Sequence, residues 1–311
     1  MVELLNTDTE SSSDEKIVGM ENIPIRSHGL SNSVAFTLNK QIQKQKHDEL
    51  EMELNMSKRG FMSSTWTKIE NKVDLTLFVK QYIPIKKQEC GDDLLCIKSP
   101  SAQQERACCC SKGGRNCCSG ALCNYDKNGT LKGLPDLPDT IYECNLHCRC
   151  HLDKTKCRNR VIQLGSQFTF CIFRVSPAVG WGLKACNNIP AGSFVIEYLG
   201  EVISDEEATK REEEGKEGIT WMIGLSDDNY VVDGTFKGNE ARYINHSCDP
   251  NLQIVKVYVD HVVPHVTLFA VRDIPAGDEL SFLYCLEGQE LPLICQCGAS
   301  NCKGKIKYNR K

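Results

Sequence analysis

Residues 242–251, RYINHSCDPN, are the chemically densest stretch of this chain. They bring a guanidinium, an amide, an imidazole, a hydroxyl and a thiol into ten positions. Asp249-Pro250 predicts a turn rather than a helix interior, because proline fixes its own φ and moves the preceding residue out of the helical region. We therefore interpret the stretch as a loop that gathers polar groups at one place, although a polar surface turn can have the same composition.

Nineteen cysteines are the second chemical signal. The chain starts without a basic segment followed by an apolar one, so no secretory signal is expected, and clustered thiols then favour metal binding over disulfides. Twelve of them lie from Cys90 to Cys157, where few large apolar residues are available. Zinc held by thiolates would stabilise such a segment in place of a conventional core. The downstream members follow the spacing Cys144-x3-Cys148-x-Cys150-x6-Cys157.

A further cysteine group lies near the C-terminus, as Cys295-x-Cys297-x4-Cys302. Three thiols leave a tetrahedral zinc site one ligand short. Cys248, inside the polar stretch, is the natural fourth ligand. A zinc ion bound in this way would tie the C-terminal tail to that loop.

Composition excludes several function classes. The chain has 311 residues and a net charge of −4, so no global basic field indicates sequence-specific DNA or RNA binding. No apolar run is long enough to cross a membrane. The sequence contains neither the glycine-rich strand–helix pattern of a dinucleotide site nor a phosphate-binding P-loop.

The elements that must position these groups are mostly strands. Aromatic and β-branched residues between turn signals predict a β-rich domain, with strands near 167–175, 193–203, 229–232, 252–259, 265–271 and 280–285. Short extended pieces are expected over 69–84, and turns at 188–192 and 273–279. An acidic helix is predicted over 204–217. Residues 1–68 are polar and expected to be largely disordered, although the helix formers at 41–56 would suit an isolated or partner-bound helix.

Taken together, these features resemble SET-domain lysine methyltransferases. Gly180-Trp181-Gly182 resembles the family's GWG, residues 242–251 resemble its R-F-I-N-H-S-C-x-P-N, and residues 279–284 resemble its E-E-L-x-F-D-Y. The cysteine-rich segment, with residues 141–145 and 159–161, resembles the pre-SET module, and the C-terminal cysteines resemble the post-SET module. The resemblance covers about residues 69–307. It is similar to the suppressor-of-variegation class, which methylates lysine-9 of histone H3.

The resemblance implies a mainly β fold of small sheets with a knot-like C-terminal crossing. It divides the chain into an N-terminal extension (1–68), an N-terminal flank of the pre-SET (69–105), a pre-SET zinc module (106–165), a SET catalytic domain (168–285) and a post-SET zinc module (291–307). It also implies three zinc ions in the pre-SET module, held by nine thiolates of which three bridge two metals each. The expected ligands are Cys108, Cys110, Cys117, Cys118, Cys144, Cys148, Cys150 and Cys157, completed by Cys123 or Cys109. A fourth zinc ion would be shared by Cys248 and the post-SET cysteines.

The resemblance further implies S-adenosylmethionine as methyl donor. Tyr284 matches the catalytic tyrosine, and Tyr198 resembles a second tyrosine of the lysine channel. The expected cofactor-binding residues are Gly180, Trp181, Gly182, Arg242, Tyr243, Asn245 and His246. Arg242 is expected to contact the cofactor carboxylate or a neighbouring acid. Phe282 lacks a hydroxyl that would hold water beside the amine, which favours di- or trimethylation.

Two positions depart from the family pattern. Leu283 replaces a common acidic residue, and residues 221–225, WMIGL, replace a Tyr-x-Phe-Asp-Leu-like strand. The expected partners are the histone H3 tail in nucleosomes and heterochromatin proteins, and the expected location is chromatin in the nucleus. The alternatives are a catalytically weak chromatin scaffold and a methyltransferase for a non-histone lysine. The acidic run at 206–217 would attract a basic tail, although a solvated helix explains it as well.

Overall fold

The computed structural model describes residues 32–58, 67–74, 82–85, 87–90, 123–152, 157–214, 221–225, 230–260, 263–284 and 290–307. Helices α1, α2 and α3 span Asn32–Lys58, Arg149–Leu152 and Asp205–Glu214, with short 3-10 turns at Ile162–Leu164 and Glu240–Tyr243. Strands β1 to β9 span Thr67–Glu70, Ile83–Pro84, Glu89–Cys90, Thr140–Tyr142, Phe170–Ser176, Gly180–Ala185, Phe194–Glu197, Glu201–Ser204 and Met222–Leu225. Strands β10 to β17 span Tyr230–Asp233, Lys237–Gly238, Asn245–His246, Leu252–Tyr258, His265–Ala270, Ser281–Phe282, Glu290–Ile294 and Lys305–Lys307.

The strands form several small sheets, as the strand pattern predicts. One sheet has the order β1-β5-β6, a second β3-β8-β10-β9, and a third β4-β13-β14-β7. Three two-stranded pairs complete the arrangement: β11-β2 and β12-β15 connect distant parts of the chain, and β16-β17 is a local antiparallel pair. The predicted mainly β architecture is confirmed. No helix within the described part of the chain is long and apolar enough to cross a membrane.

Strand β14 separates two apolar cores. Successive side chains of a strand point to opposite faces, so Leu268 enters the larger core while Phe269 enters a smaller one. The larger core also contains Leu183 and Val232, and the smaller one contains Tyr125. Because β14 lies between β13 and β7 and has a core on each face, five of its six residues are buried.

Two similar turns, predicted at 188–192 and 273–279, lie side by side. The backbone N–H groups of Ile189 and Ile274 each donate to the other residue's carbonyl oxygen at 2.8 Å. Beyond this pair the chain continues to Glu279, which forms an isolated bridge with Lys184 of β6. It then enters β15, which runs parallel to β12 with Asn245 opposite Ser281. This pairing brings the C-terminal part of the chain to the polar stretch.

Residues 32–58 depart from the expectation of a largely disordered N-terminal extension. They form helix α1, which packs against β1; residues 1–31 and 59–66 lie outside the described part. The backbone N–H of Ile69 donates to the Glu51 carboxylate, and Gln43 Nε2 donates to the Asp74 carbonyl oxygen at 3.3 Å. Leu50 of this helix also packs against the larger core, so the described contacts combine one apolar side chain with several polar ones, which hydrophobic periodicity does not detect.

The predicted acidic helix is confirmed as α3. The Ser204 hydroxyl accepts the Glu207 N–H at 3.1 Å, and acidic residues fill the first turn, where they complement the helix dipole. Arg211 joins the helix to the neighbouring sheet by ion pairs to Glu201 at 3.0 Å and to Asp233 at 2.8 Å. Helix α3 is therefore a fixed part of this domain.

Candidate active site

Three sequence-predicted motifs meet at β6, β12 and the segment that enters β15. Asn245 Nδ2 donates to the Trp181 carbonyl oxygen at 3.2 Å and to Glu279 Oε1 at 2.8 Å. One amide group thus joins the glycine–tryptophan motif, the polar stretch and the C-terminal motif. Burial raises the pKa of the Glu279 carboxyl, although the hydrogen bond from Asn245 opposes that shift. Glu279 was not among the predicted site residues, although it is the first residue of the third motif.

The two glycines that flank Trp181 have different roles. Gly180 has φ +89°, a conformation that residues with a side chain rarely adopt. At Gly182 a Cβ atom would lie 2.7 Å from Val175 Cγ2 and 2.8 Å from Glu279 Oε1. Neighbouring atoms therefore approach the backbone closely at Gly182, within the strand, and leave no space for a side chain.

Tyr284 is held by the polar stretch. Its hydroxyl donates to the Ile244 carbonyl oxygen at 2.7 Å, and its backbone N–H donates to His246 Nδ1 at 3.2 Å. Its ring lies 4.9 Å from that of Phe282, centroid to centroid, and 5.6 Å from that of His246. Burial of the hydroxyl, and to a smaller degree the charge of Glu279, raises the pKa of Tyr284 above its ordinary value.

His246 connects Tyr284 to a thiol. Besides accepting the Tyr284 N–H, its ring places Nε2 3.5 Å from Cys248 Sγ. Burial, and then the positive charge of Lys303, lowers the pKa of His246, so the neutral imidazole predominates at neutral pH. The structure thus gives His246 a structural role between Tyr284 and the C-terminal cysteines.

Tyr198 is buried, and its hydroxyl donates to the Trp221 carbonyl oxygen at 2.7 Å. A Cβ atom on Gly234 would lie 2.9 Å from that hydroxyl oxygen, so the glycine leaves room for it. Trp221 was noted from the sequence only as a departure from the family pattern. The structure shows that its backbone fixes the orientation of Tyr198.

Arg242 lies among aromatic rings. Its guanidinium carbon is 4.2 Å from the ring centroid of Trp221, 4.9 Å from that of Tyr82 and 5.8 Å from that of Tyr243. One of its N–H groups donates to the Thr235 carbonyl oxygen at 3.0 Å. The sequence led us to expect a contact with a cofactor carboxylate or a neighbouring acid. Cation–π contacts and a backbone carbonyl are the partners that the structure provides.

Tyr243 is partly buried against the larger core. Burial raises its pKa to about 12, despite the nearby charge of Arg242. Its ring lies 6.1 Å from that of Tyr82, centroid to centroid. The side chain therefore contributes to the aromatic surroundings of Arg242.

The thiol groups of Cys248 and the three C-terminal cysteines converge, with their sulfur atoms within 4.8 Å of one another. Zn–S bonds of about 2.3 Å in a tetrahedron place sulfur atoms roughly 3.8 Å apart. The separation of 3.9 Å between Cys248 Sγ and Cys295 Sγ fits this geometry. Burial raises the pKa of Cys297, but hydrogen bonds from backbone N–H groups and neighbouring thiols outweigh it and lower that pKa to about 6. The donor set therefore suits zinc, and it is the grouping that the ligand count predicts.

Comparison with known proteins agrees with this geometry. The SET domain family matches residues 180–285. The human histone-lysine N-methyltransferase SUV39H2 is 40% identical over 216 residues, which are 62% of this chain and 52% of that protein. The methyltransferase domain of human SETMAR, also a histone-lysine N-methyltransferase, is 30% identical with a TM-score of 0.65, over 82% of this chain and 98% of that domain. The chain belongs to the SET-domain family of histone-lysine methyltransferases.

Two further SET structures contain ligands. Arabidopsis thaliana SUVH6, in complex with S-adenosylmethionine (SAM), is 29% identical with a TM-score of 0.63, over 81% of this chain and 55% of that one. KRYPTONITE, in complex with mCHH DNA, a histone H3(1–15) peptide and SAH, is 25% identical with a TM-score of 0.60, over 81% of this chain and 53% of that one. The present chain spans about half the length of the SUV39H2 proteins that it matches.

Part of the pre-SET cysteine cluster is also assembled. The thiols of Cys144, Cys150 and Cys157 lie within 4.8 Å of one another. Cys148 is buried next to them, and its sulfur accepts the Asn145 N–H at 3.2 Å. These are the four downstream ligands that the sequence predicts.

Polar groups of the pre-SET segment surround these sulfur atoms. Arg160 Nη2 lies 3.6 Å from Cys150 Sγ and 2.6 Å from the Asn145 carbonyl oxygen, and Asn159 Nδ2 lies 3.8 Å from Cys144 Sγ. A guanidinium and an amide donor stabilise thiolates, so these surroundings favour a thiolate–metal cluster.

Among the described residues, no predicted zinc ligand upstream of Cys144 is found in the group of converging thiols. Cys123 is buried in the smaller core with Tyr125 and Val161, and it is not in the group formed by the three downstream thiols. The other upstream cysteines lie outside the described residues: Cys108, Cys109, Cys110, Cys117 and Cys118. The choice of ninth ligand and the count of three zinc ions therefore stay predictions.

Proposed function

We propose that this chain transfers methyl groups from SAM to lysine-9 of histone H3 and produces di- or trimethyl-lysine. The observation that carries the proposal is the position of Tyr284. Its hydroxyl is fixed on the Ile244 carbonyl oxygen, and its ring lies beside Phe282 and His246, while Asn245 joins the adjoining motifs. The relatives described above are histone-lysine methyltransferases, which supports the same reaction class.

The residues around Asn245 suit a ligand with positive charge. The Asn245 amide donates to both the Trp181 carbonyl oxygen and the Glu279 carboxylate, which places two acceptor oxygens beside this amide. SAM has cationic amino and sulfonium groups, and it supplies an activated methyl group when bound. We assign its binding to the backbone and side chains of Gly180, Trp181, Gly182, Asn245 and His246, with Arg242 and Tyr243 supporting the site from within the protein.

The aromatic residues suit a lysine side chain. The substrate amine must be neutral to react, although a free lysine has a pKa of about 10.4. The Phe282 and Tyr284 rings lie side by side, and we assign Tyr198 to the same lysine site. Transfer of the amine to such an aromatic site lowers its pKa, because burial disfavours the ammonium form. The Tyr284 hydroxyl then orients the amine, and the proton leaves to solvent before attack. Phe282 has no hydroxyl to retain a water molecule, which leaves space for further methyl groups.

Histone H3 is the substrate best supported by the comparisons, since KRYPTONITE binds an H3(1–15) peptide. The exposed carboxylates on α3 would attract such a basic peptide, although they would equally serve as a solvated helix face. A role in heterochromatin formation and gene silencing, a nuclear location and contact with heterochromatin proteins belong to the same proposal.

A catalytically weak scaffold is the second candidate. It is favoured by Leu283, which is 37% exposed at the position where the family commonly has an acid. A methyltransferase for a non-histone lysine is the third. All three share the fold and the cofactor site, so only transfer to defined peptides separates them.

The test is methyl transfer to H3 peptides. The zinc-replete protein would be incubated with labelled SAM and an H3(1–15) peptide, or the same peptide with lysine-9 replaced by alanine. We expect transfer to the first peptide only, and di- or trimethyl-lysine by mass spectrometry. Tyr284→Phe should reduce transfer about 100-fold, whereas Tyr142→Phe, at an exposed pre-SET tyrosine, should not.

Other outcomes would contradict the proposal at different points. SAM binding without transfer to any histone peptide would favour the scaffold, and transfer confined to non-histone sequences on a peptide array would favour the third candidate. A product limited to monomethyl-lysine would contradict the role of Phe282.

A further inference from the structure

Helix α1 presents an unusual polar stripe to the domain. Gln43, His47 and Glu51 are spaced four residues apart and therefore lie on one face of the helix. Gln43 and His47 are each only 5% exposed. Buried polar groups are costly unless they find partners, so these contacts define where the helix docks.

The partners of this stripe lie around Trp181. The His47 ring meets the Trp181 ring edge-on, with centroids 5.9 Å apart and an interplanar angle of 79°. Arg174 also lies over the indole, at 5.7 Å from the ring centroid, and its Nε pairs with Asp74 Oδ2 at 3.1 Å. Gln43 donates to the Asp74 carbonyl oxygen, so α1 supports the indole both directly and through Arg174.

The backbone of Trp181 belongs to the proposed cofactor site. The Trp181 carbonyl oxygen accepts the Asn245 Nδ2 hydrogen bond, and the next residue, Gly182, is packed against Asn245 and Glu279. Movement of the indole would therefore move the carbonyl group that holds Asn245. The side chain of Trp181 therefore connects the N-terminal helix to the site, although His47 and Trp181 are far apart in the sequence.

We infer that His47 is a positioning residue for SAM binding and that it acts by fixing the Trp181 indole. The N-terminal helix is then part of the cofactor site's support. This inference rests on the proposed function, because the ligand it concerns is the cofactor of that reaction. It requires no contact between His47 and SAM.

The test compares three variants of the full chain. His47→Ala removes the ring, His47→Phe retains an aromatic edge, and Lys46→Ala changes an exposed neighbour on the same helix. An edge-to-face ring pair changes a folding or binding equilibrium constant by about 2- to 10-fold. We expect His47→Ala to weaken SAH binding by this factor, measured by titration calorimetry on zinc-replete protein. His47→Phe should restore most of the affinity, and Lys46→Ala should bind as the wild type does.

Steady-state kinetics separate positioning from general damage. His47→Ala should raise KM for SAM while kcat at saturating SAM stays within about twofold, since the interaction serves binding. Circular dichroism would show whether His47→Ala retains its helix; if it does not, His47→Phe and His47→Gln provide the comparison. An SAH affinity of His47→Ala or His47→Gln equal to that of the wild type would overturn the inference.

Failure of the proposed function has a different signature. A wild-type chain that binds SAH but methylates no H3 peptide would contradict the assigned reaction, while the affinity comparison would still decide the role of His47. A wild-type chain that binds neither SAM nor SAH would contradict the cofactor assignment itself.

Discussion

Gly182 is the position where one added methyl group would test the site most directly. A Cβ atom there would lie 2.7 Å from Val175 Cγ2, 2.8 Å from Glu279 Oε1 and 3.0 Å from Asn245 Nδ2. Carbon atoms in favourable contact are about 3.5–4.0 Å apart. Gly182→Ala therefore requires Val175 to withdraw by about 1 Å and also displaces the hydrogen-bonded pair of Asn245 and Glu279.

The expected magnitude follows from these contacts. Overpacking a close-packed site costs about 1–3 kcal/mol, so the free energy of unfolding should fall by that amount. The hydrogen bond between Asn245 and Glu279 should also lengthen, and such bonds to charged groups contribute about 1.5–3 kcal/mol. Since a factor of ten in affinity is about 1.4 kcal/mol, we expect SAH binding to weaken at least tenfold.

Urea unfolding and calorimetric titration with SAH would measure the two effects separately. The matched control is Gly238→Ala, whose Cβ would lie 3.0 Å from the Leu199 carbonyl oxygen and contact no site side chain. It should lower stability but leave SAH affinity within about twofold. If Gly182→Ala bound SAH as tightly as the wild type, the three motifs would not be coupled at this position.

Three further changes test the site and the surrounding structure. Tyr284→Phe removes the hydroxyl that donates to the Ile244 carbonyl oxygen, and we expect kcat to fall about 100-fold with SAH affinity unchanged; an unaltered kcat would refute this role. Cys248→Ser removes one of four converging thiols, so zinc content by mass spectrometry should fall by about one ion per chain, and an unchanged content would refute the site. Burial lowers the pKa of His265, but the charge and hydrogen bond of Glu197 outweigh it and raise that pKa. The protonated form is therefore stabilising below the ordinary pKa of about 6.5, and this contribution is lost as pH rises through the folded pKa. Urea unfolding should show His265→Gln destabilised most at about pH 6 and little at about pH 9; a constant difference would contradict this.

The motifs that meet at the candidate site could be recognised in the sequence because their signals are local. The polar stretch, the glycine–tryptophan motif and the C-terminal motif each combine particular residue types at short spacing. Cys248 could be named as a fourth ligand by counting, because zinc requires four donors and the C-terminal motif supplies three. Strand positions followed from β-branched and aromatic residues, although the C-terminal strand predicted over 280–285 is limited to Ser281–Phe282.

The contacts that escaped prediction join residues far apart in the chain without a local pattern. Helix α1 uses Gln43, His47 and Glu51 beside Leu50 for docking, and a polar stripe has no hydrophobic periodicity to detect. The aromatic surroundings of Arg242 depend on Tyr82 and Trp221, which the sequence gives no reason to bring together. Such cation–π contacts are visible only once the sheets have been assembled.

The parallel pairing of β12 with β15 has a consequence for synthesis of the chain. The polar stretch emerges from the ribosome before β13 and β14, and its partner strand follows only after both. At roughly 5–20 residues per second this interval lasts a few seconds. During that time Ile244 and its apolar neighbours lack the cover that Leu280 and Phe282 later provide. The nascent chain therefore passes through a stage with an open core, at which a chaperone or an aggregation-prone neighbour would compete with the last strand.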